Sequence, residues 1–419
     1  MSERLLILGN SAAAIAAVRA YRARGGEGAI TLVSRETCDA YSPVLTTYYL
    51  RGQIPEEKLY VCDGRFYEET GIERIYGKSA VALDTKAQTV ALDDGATLSY
   101  DKLLIATGAA PRRLDGVADG FVDELLYLRT MDDARRIRVR AEGAQHIVVV
   151  GAGLVSLQVA AALAKPGRRI TAVVASGQIL SQNVDGEAAA MIQRHLEASA
   201  PIGFIFGANV QAIERARGAF RLALDTGEEL IADEVMVGKG VTPNLGFVDR
   251  ASMAVGRGIR VDERLRTTAE NVWAAGDVSE SVNRLTGLPQ PVRTWTSACE
   301  QGRIAGMNLA GTDATYAGSL PENVTTFFGL RVASLGLVKV RDDDTQLREL
   351  TWSDGRGGYR KLMLEGERLV GALLVGDITD AGVLRDVIAG SGVMDLPEEL
   401  VLRGGLSQAD RLKVCREGR

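Results

Sequence analysis

The sequence predicts an α/β chain: two doubly wound parallel-sheet domains, one inserted within the other, followed by a smaller α+β segment. Two observations carry this. An apolar, strand-like run followed by a glycine turn and a helix-forming run occurs twice, at Leu5–Ala14 and at Ile147–Ser156. A further apolar run, Val272 to Ala275, stops at Gly276 and delivers Asp277 at its carboxyl end, where ligands sit in doubly wound folds.

Composition sets the class. A chain of 419 residues exceeds one ordinary core, so two or three domains are expected. Hydrophobic content of 46% and charged content of 25% are normal for a soluble globular protein. A net charge of −5 gives no electrostatic case for nucleic acid or an anionic membrane. Met1–Arg4 is no basic leader, so export is not expected. Ile147–Ala164 approaches transmembrane length, but Gly151, Gly153 and Ser156 interrupt it, and it reads as strand, turn and helix. The four cysteines, Cys38, Cys62, Cys299 and Cys415, form no CxxC pair. His146 and His195 stand at strand- or helix-like positions that suit structural roles. The chain therefore offers no metal site, no iron–sulfur ligands and no redox dithiol, and its cysteine usage fits a reducing cytoplasm.

Taken in order, Leu5–Leu8 reads as a buried strand and Ala12–Arg24 as a helix. Gly9 makes the tight turn, and Ser11 and Ala14 are small enough to admit a phosphate to the helix's unpaired first amides. The strand Ile30–Ser34 leads to Glu36, placed where an acid would hydrogen-bond an adenosine ribose. Lys78–Asp84, Gln88–Leu92 and Leu98–Leu104 read as strands, and Gly95 turns between the last two. The last run ends at Thr107-Gly108, after which Pro111 and Arg112 leave the domain. Asp132–Glu142 is a charged linking helix. In the second strand–turn–helix unit Gly151 and Gly153 form the turn, and Ser156 takes the place of a third glycine. The strand Ile170–Val174 then ends in Ala175-Ser176, without an acid or a base.

Asp185–Ala198 is an amphipathic helix, and Phe204–Val210, Phe220–Leu224 and Glu229–Ala232 read as a β-meander. Thr294–Asn308 is a helix with small residues on one face, including Cys299 as a small buried residue. Strands at Leu330–Val340, Gln346–Thr351, Tyr359–Leu364 and Arg368–Val375 precede a helix at Asp380–Ile388.

Three runs carry a family resemblance: the Val-x-Ala-x-Gly-Asp ending of Thr267–Asp277, Ala106-Thr107-Gly108, and Gly240-x-x-Pro243-Asn244. Together with the two glycine turns they resemble the FAD-dependent pyridine nucleotide–disulfide oxidoreductase superfamily over nearly the whole chain. The resemblance implies two Rossmann-like domains. Residues 1–113 and 241–314 would form the FAD-binding domain, 114–240 an inserted NAD(P)-binding domain, and 315–419 a C-terminal interface domain.

It further implies that Gly9, Ser11, Ala12, Glu36, Pro43, Val44, Ala80, Ala106, Thr107, Gly108, Arg112, Gly276, Asp277 and Thr296 line FAD. Gly151, Gly153, Leu154, Val155, Gln158 and Gly240 would line NAD, with NADP not excluded. The helix that begins near Thr296 would point its N-terminus at the flavin pyrimidine and favour negative charge there. Trp295 would contact the flavin or pack at an interface.

Four departures refine the expectation. Tyr41-Ser42-Pro43-Val44 resembles the flavin-facing segment of single-cysteine members, the coenzyme A disulfide reductases and NADH oxidases, but Val44 stands in the cysteine's place. Valine can neither attack a disulfide nor form a sulfenic acid. Gln158 replaces a glutamate common in the family, and no lysine occurs in Val44–Leu50 to pair with it. Ser176 replaces the acid of NAD-preferring members. Lys239 is unusual in its run and is either solvated or faces a phosphate or the flavin.

The expected function is that of an FAD-dependent NAD(P)(H):acceptor oxidoreductase with no catalytic residue beyond the flavin itself. It resembles rubredoxin reductases and the large subunit of NADH nitrite reductase, although their basic residue near Pro43 is absent. A narrower resemblance is to the NAD-reducing flavin subunits of tungsten aldehyde oxidoreductases and of phenylglyoxylate dehydrogenase. The implied partner is an iron–sulfur protein or subunit, in an oligomer or hetero-complex, with no nucleic acid and no membrane. Two alternatives stay open: an NADH oxidase or disulfide reductase working without the usual cysteine, and a flavoprotein scaffold whose nicotinamide site has decayed.

Overall fold

The computed structural model describes residues 3–114, 121, 123–216, 218–339, 347–390 and 398–407. Cys415 and the expected strand ends Val340 and Gln346 lie outside the described residues. Contacts divide the chain into two compact units, Met1–Ala110 with Val241–Ser319, and Pro111–Gly240 with Leu320–Arg419. Residues 320–419 thus cluster with 111–240.

In the first unit, β1 (Arg4–Leu8), β2 (Ala29–Ser34), β3 (Ile72–Tyr76), β7 (Lys102–Ile105) and β18 (Val272–Ala274) form a parallel sheet in the order β18-β7-β1-β2-β3. Leu5–Leu8 is buried because β1 is paired on both sides and covered on both faces. Helix α1 (Ala12–Ala23) is alanine-rich and packs on α7 (Trp295–Leu309) through small residues of both helices. Two short helices, α2 (Thr46–Leu50) and α3 (Gly64–Glu69), lie between β2 and β3.

A separate antiparallel sheet joins β4 (Ala80–Asp84), β5 (Thr89–Leu92) and β6 (Thr97–Ser99). Two short pairs complete the unit: β8 (Ala109–Pro111) with β16 (Val241–Pro243), and β17 (Ile259–Arg260) with β19 (Ser279–Glu280). The single strand expected at Leu98–Leu104 is two strands, β6 and β7, in different sheets. The break has a polar cause. Tyr100 N–H turns aside to Gln88 O, and the Asp101 carboxylate takes the Arg4 N–H and guanidinium at 2.7–3.1 Å. Arg4 holds the Asp101 carboxyl down at about 2.

In the second unit, β9 (His146–Val150), β10 (Arg169–Val174), β11 (Ile202–Phe206) and β15 (Glu234–Val237) make a parallel sheet in the order β11-β10-β9-β15. Helix α4 (Met131–Ala141) opens on a capping box, with Thr130 Oγ1 accepting from Asp133 N–H and the Asp133 carboxylate accepting from Thr130 N–H. Helix α5 (Leu154–Leu163) follows β9, and α6 (Gly186–Ser199) is capped by Asp185.

The expected meander strand at Phe204–Val210 is corrected. Its first residues belong to β11 in the parallel sheet, Gly207 turns the chain at φ +67°, and the meander is β12 (Val210–Ala216), β13 (Ala219–Leu224) and β14 (Glu229–Ala232).

The C-terminal part is an antiparallel sheet in the order β20-β21-β24-β23-β22. Its strands are β20 (Glu322–Phe327), β21 (Leu330–Gly336), β22 (Leu347–Ser353), β23 (Tyr359–Glu365) and β24 (Arg368–Val375). Helices α8 (Ala381–Ala389) and α9 (Glu398–Arg403) pack on it. β20 has no counterpart among the expected strands. Hydrogen bonds stitch this sheet to the rest of the second unit: Tyr359 Oη donates to Asp185 at 2.7 Å, and Ser334 Oγ to Asn183 O at 2.7 Å. Inside it, Arg360 and Asp380 form a fully buried bidentate pair at 2.9 and 2.7 Å.

Candidate functional site

Four parallel strands of the first unit end side by side, and most of the residues predicted for FAD follow those ends. Gly9, Ser11 and Ala12 make the β1–α1 turn, Glu36 follows β2, Ala106, Thr107 and Gly108 follow β7, and Gly276 and Asp277 follow β18. Each approach depends on the glycine. At Gly9, φ is +114°, and a Cβ would lie 2.1 Å from Ala106 O. At Gly276, φ is +82°, and a Cβ would lie 3.3 Å from Ala13 of α1 and 3.7 Å from Ala298 of α7. The turn after β18 therefore meets the first turns of α1 and α7. Thr296 lies in that first turn of α7, behind its cap Thr294.

The N-cap of α1, Ser11, makes no side-chain cap bond, so its hydroxyl does not take the first-turn amides. Small residues and open amides at the carboxyl edge of a parallel sheet fit a dinucleotide phosphate. The acid expected at the ribose is held in place: Glu36 Oε2 accepts from Tyr41 Oη at 2.7 Å. Pro43 and Val44 lie in a short turn ahead of α2, and Val44 is 57% exposed, an apolar wall without a cover from the protein. Ala80 begins β4, half-buried. Arg112 belongs to the second unit, where its backbone N–H donates to Gly240 O at 2.9 Å and its side chain is exposed.

Asn10 and Gln301, which shape this site, escaped the sequence reading, and Asn244 was read there only as part of a motif. Asn10 Nδ2 donates to Tyr76 Oη at 3.2 Å while its Oδ1 accepts from Tyr67 Oη at 2.9 Å, which pins the turn after Gly9 to β3 and α3. Burial lifts the Tyr76 hydroxyl to about 12 and the Tyr67 hydroxyl further, so both stay protonated donors at neutral pH. Asn244 clasps the Thr107–Gly108 turn, with Nδ2 on Thr107 O at 2.7 Å and its backbone N–H on Gly108 O at 3.0 Å. Asn244 was visible as the end of a Gly-x-x-Pro-Asn run.

Gln301 gave no signal. It is 2% exposed, and its Oε1 accepts from Gly276 N–H at 2.7 Å and Ser279 Oγ at 2.9 Å. An unpaired buried amide at Gly276 would cost about 1–3 kcal/mol.

The second unit repeats the arrangement at the end of β9. Gly151 has φ +106°, and a Cβ there would lie 2.4 Å from Gly238 O. Gly153 caps α5 without a side chain, and Leu154 and Val155 form its first turn, with Val155 exposed. Ser156, in the third glycine's place, donates its Oγ to Gly238 O at 3.3 Å, and Gly238 has no room for a Cβ because that oxygen would lie 1.9 Å away. Gly240, φ +88°, follows β15.

Gln158 lies one turn further along α5. Its Nε2 donates to Thr325 Oγ1 and to Thr326 O, at 3.2 Å for the latter, which fastens α5 to β20. Ser176 Oγ donates to Gln178 O at 2.8 Å. Lys239 resolves toward the surface, its Nζ 3.4 Å from Asn209 Oδ1.

The remaining candidate groups are structural. His146 bonds Thr171 Oγ1 at 2.9 Å and Ile231 O, and burial depresses its pKa. His195 Nε2 lies 3.0 Å from Phe327 O. Burial pushes the Cys62 and Cys299 thiols up, away from thiolate chemistry. Cys299 is partly rather than fully buried, and with Trp295 it packs on the core between α1 and the parallel sheet. No described helix is long and apolar enough to cross a membrane.

Comparison with known proteins agrees with this geometry. The family described as pyridine nucleotide-disulphide oxidoreductase matches residues 3–302, and the rubredoxin NAD+ reductase C-terminal domain matches residues 321–391. The epsilon subunit of NADH-dependent phenylglyoxylate dehydrogenase from Aromatoleum evansii is 33% identical over 92% of this chain and 91% of its own length. The ferredoxin–NAD(+) reductase component of the anthranilate 1,2-dioxygenase system from Burkholderia cepacia is 31% identical over 95% of this chain and 97% of its own. Among solved structures, the covalent putidaredoxin reductase–putidaredoxin complex superposes with a TM-score of 0.85 at 26% identity, over 96% of this chain and 97% of that one.

Proposed function

We propose, from the premise that this chain belongs to the pyridine nucleotide-disulphide oxidoreductase family, that it is an FAD-dependent NAD(P)(H):acceptor oxidoreductase. It passes electrons between nicotinamide and an iron–sulfur protein or subunit. The observation that carries this is the duplication: each unit has a parallel sheet, a positive-φ glycine turn and a helix whose first turn has no side-chain cap. Two such sites suit two dinucleotides.

Gly9, Ser11, Ala12, Glu36, Pro43, Val44, Ala80, Ala106, Thr107, Gly108, Gly276, Asp277 and Thr296 are assigned to FAD, and Arg112 keeps that assignment from the sequence alone. Gly151, Gly153, Leu154, Val155, Gln158 and Gly240 are assigned to the nicotinamide dinucleotide. Segments 1–113 and 241–314 then serve flavin, 114–240 serves nicotinamide, and 315–419 serves an interface. Bound FAD supplies hydride exchange with nicotinamide and single-electron exchange with an outside carrier.

The chain's own residues position and exclude. The α1 amides hold the pyrophosphate, Glu36 holds a ribose, and Val44 makes the wall apolar where a thiol would add disulfide chemistry. The similarity to a ferredoxin–NAD(+) reductase and to a dehydrogenase subunit supports an iron–sulfur partner and membership of a larger complex. Residence in a reducing cytoplasm is part of this reading, supported by the free thiols of Cys38, Cys62 and Cys299.

The test is an anaerobic titration of the FAD-loaded chain with NADH, then NADPH, following flavin absorbance. Stoichiometric bleaching by one of them identifies the nucleotide. If dithionite bleaches the flavin and neither nucleotide does, the reading fails in favour of a flavoprotein scaffold. That alternative draws on Ser176, which stands where an acid would bind ribose.

A further inference from the structure

Gln301 sits in the second turn of α7 and has both ends of its amide occupied inside the first unit. Its Oε1 takes Gly276 N–H at 2.7 Å and Ser279 Oγ at 2.9 Å. Its Nε2 faces Ser281 Oγ and Ser319 Oγ, each at 3.3 Å. Those two hydroxyls lie 3.0 Å apart, and Ser319 Oγ is 2.9 Å from Tyr316 Oη. All four partners of the amide are fixed in turn. Ser279 also bonds back to Gly276 O through its N–H and its hydroxyl, both at 2.9 Å, which closes the turn that contains Asp277.

The consequence is geometric. The turn after β18 could be held by sheet pairing alone only as far as Ala275, whose N–H donates to Ile105 O. Beyond it, Gly276 is at positive φ and has no side chain to anchor it. The one side-chain acceptor on its N–H comes from α7, the helix whose first turn flanks the same glycine. Buried networks in which every member is satisfied specify one arrangement rather than several.

We propose that Gln301 is a positioning residue for the flavin: it locks the Gly276–Asp277 turn to α7, so that one amide sets both the flavin's affinity and its reduction potential. This rests on the assignment of the first unit's site to FAD. That assignment is tested separately, by whether the wild-type chain binds FAD at all.

The experiment compares wild type with Gln301→Met and Gln301→Glu in the full chain. FAD dissociation constants are measured by flavin fluorescence, potentials by dye equilibration, and melting midpoints of the apo chain by circular dichroism. Gln301→Met is expected to weaken oxidised FAD binding at least tenfold and reduced FAD binding tenfold more, because the freed Gly276 turn lies against the N-terminal turn of α7, which favours the negative charge of reduced flavin, so that the potential falls by about 30 mV. Gln301→Glu keeps an acceptor for Gly276 N–H and is expected to retain FAD within about threefold of wild type, while its added negative charge lowers the potential. Should Gln301→Met fail to fold, Ser279→Ala removes one bond to the same oxygen and is expected to show a smaller loss in both readouts. A folded variant that loses its hydrogen bond yet keeps wild-type FAD affinity and potential overturns the proposal.

Discussion

Gly302 of α7 rests directly on Ala13 of α1: a Cβ at position 302 would lie 2.1 Å from the Ala13 carbonyl oxygen. One turn later Gly306 does the same to Ala17, also at 2.1 Å. The contacts advance together along both helices, so α1 and α7 run parallel and bring their N-termini to the same end of the first unit. Gly302→Ala is expected to force the helices apart and cost about 1–3 kcal/mol by overpacking. A lower urea midpoint with an unchanged slope, and loss of bound FAD, would show it. An unchanged midpoint would mean that the helices can separate freely.

The second unit uses a different device at the equivalent turn. Ser156 fills the space that Gly238 leaves empty, and its hydroxyl bonds Gly238 O. Gly238→Ala should destabilise the unit and abolish flavin bleaching by nicotinamide, because Gly151 and Gly238 touch through the same carbonyl. Adding Ser156→Gly should restore part of both, as neighbouring sites couple by about 0.5–3 kcal/mol. Additive effects in the double-mutant cycle would show that the two residues do not share this space.

How far this was legible follows from the same residues. Gly9, Gly151 and Gly276 ended apolar runs, and a glycine ending a buried strand announces both the turn and the close approach. Both parallel sheets could be read that way. The strand β20, Glu-Asn-Val-Thr-Thr-Phe, could not, because an edge strand with polar, partly exposed residues carries no apolar alternation. Leu98–Leu104 misled for the opposite reason. Leu98, Tyr100, Leu103 and Leu104 read as one strand across the polar Asp101-Lys102 step, and the partners that divide it there, Arg4 for Asp101 and Gln88 for Tyr100 N–H, are distant in sequence. Gln301 was invisible because a buried amide is recognised by its partners, and Gly276, Ser279, Ser281 and Ser319 lie 18–25 positions away.

Val44 offers a direct probe of the flavin assignment. At 57% exposure, a thiol placed there by Val44→Cys should react quickly with a disulfide reagent in the apo chain. FAD should slow that reaction at least tenfold if the cofactor covers the turn. Equal rates with and without FAD would move the flavin away from Val44.

His146 gives the second unit a pH dependence whose sign can be worked out. The residue is 8% exposed at the start of β9, and burial holds its pKa below the ordinary value of 6.5. The Arg169 guanidinium, 3.1 Å from Nδ1, pushes in the same direction, while the Ile231 carbonyl and Asp233 oppose. In the unfolded chain the imidazole takes up its proton near 6.5, so below that pH the unfolded state binds more protons than the folded one. Stability should therefore be fully present above pH 6.5 and fall as the pH drops through it. The loss continues until the pH reaches the depressed folded value, below which both states are protonated. His146→Gln keeps a hydrogen-bonding side chain without that titration. Melting midpoints of the two proteins between pH 8 and pH 5 should converge toward the acid end if the wild type is the more stable at neutral pH. A constant difference across the range would show that His146 does not titrate on unfolding.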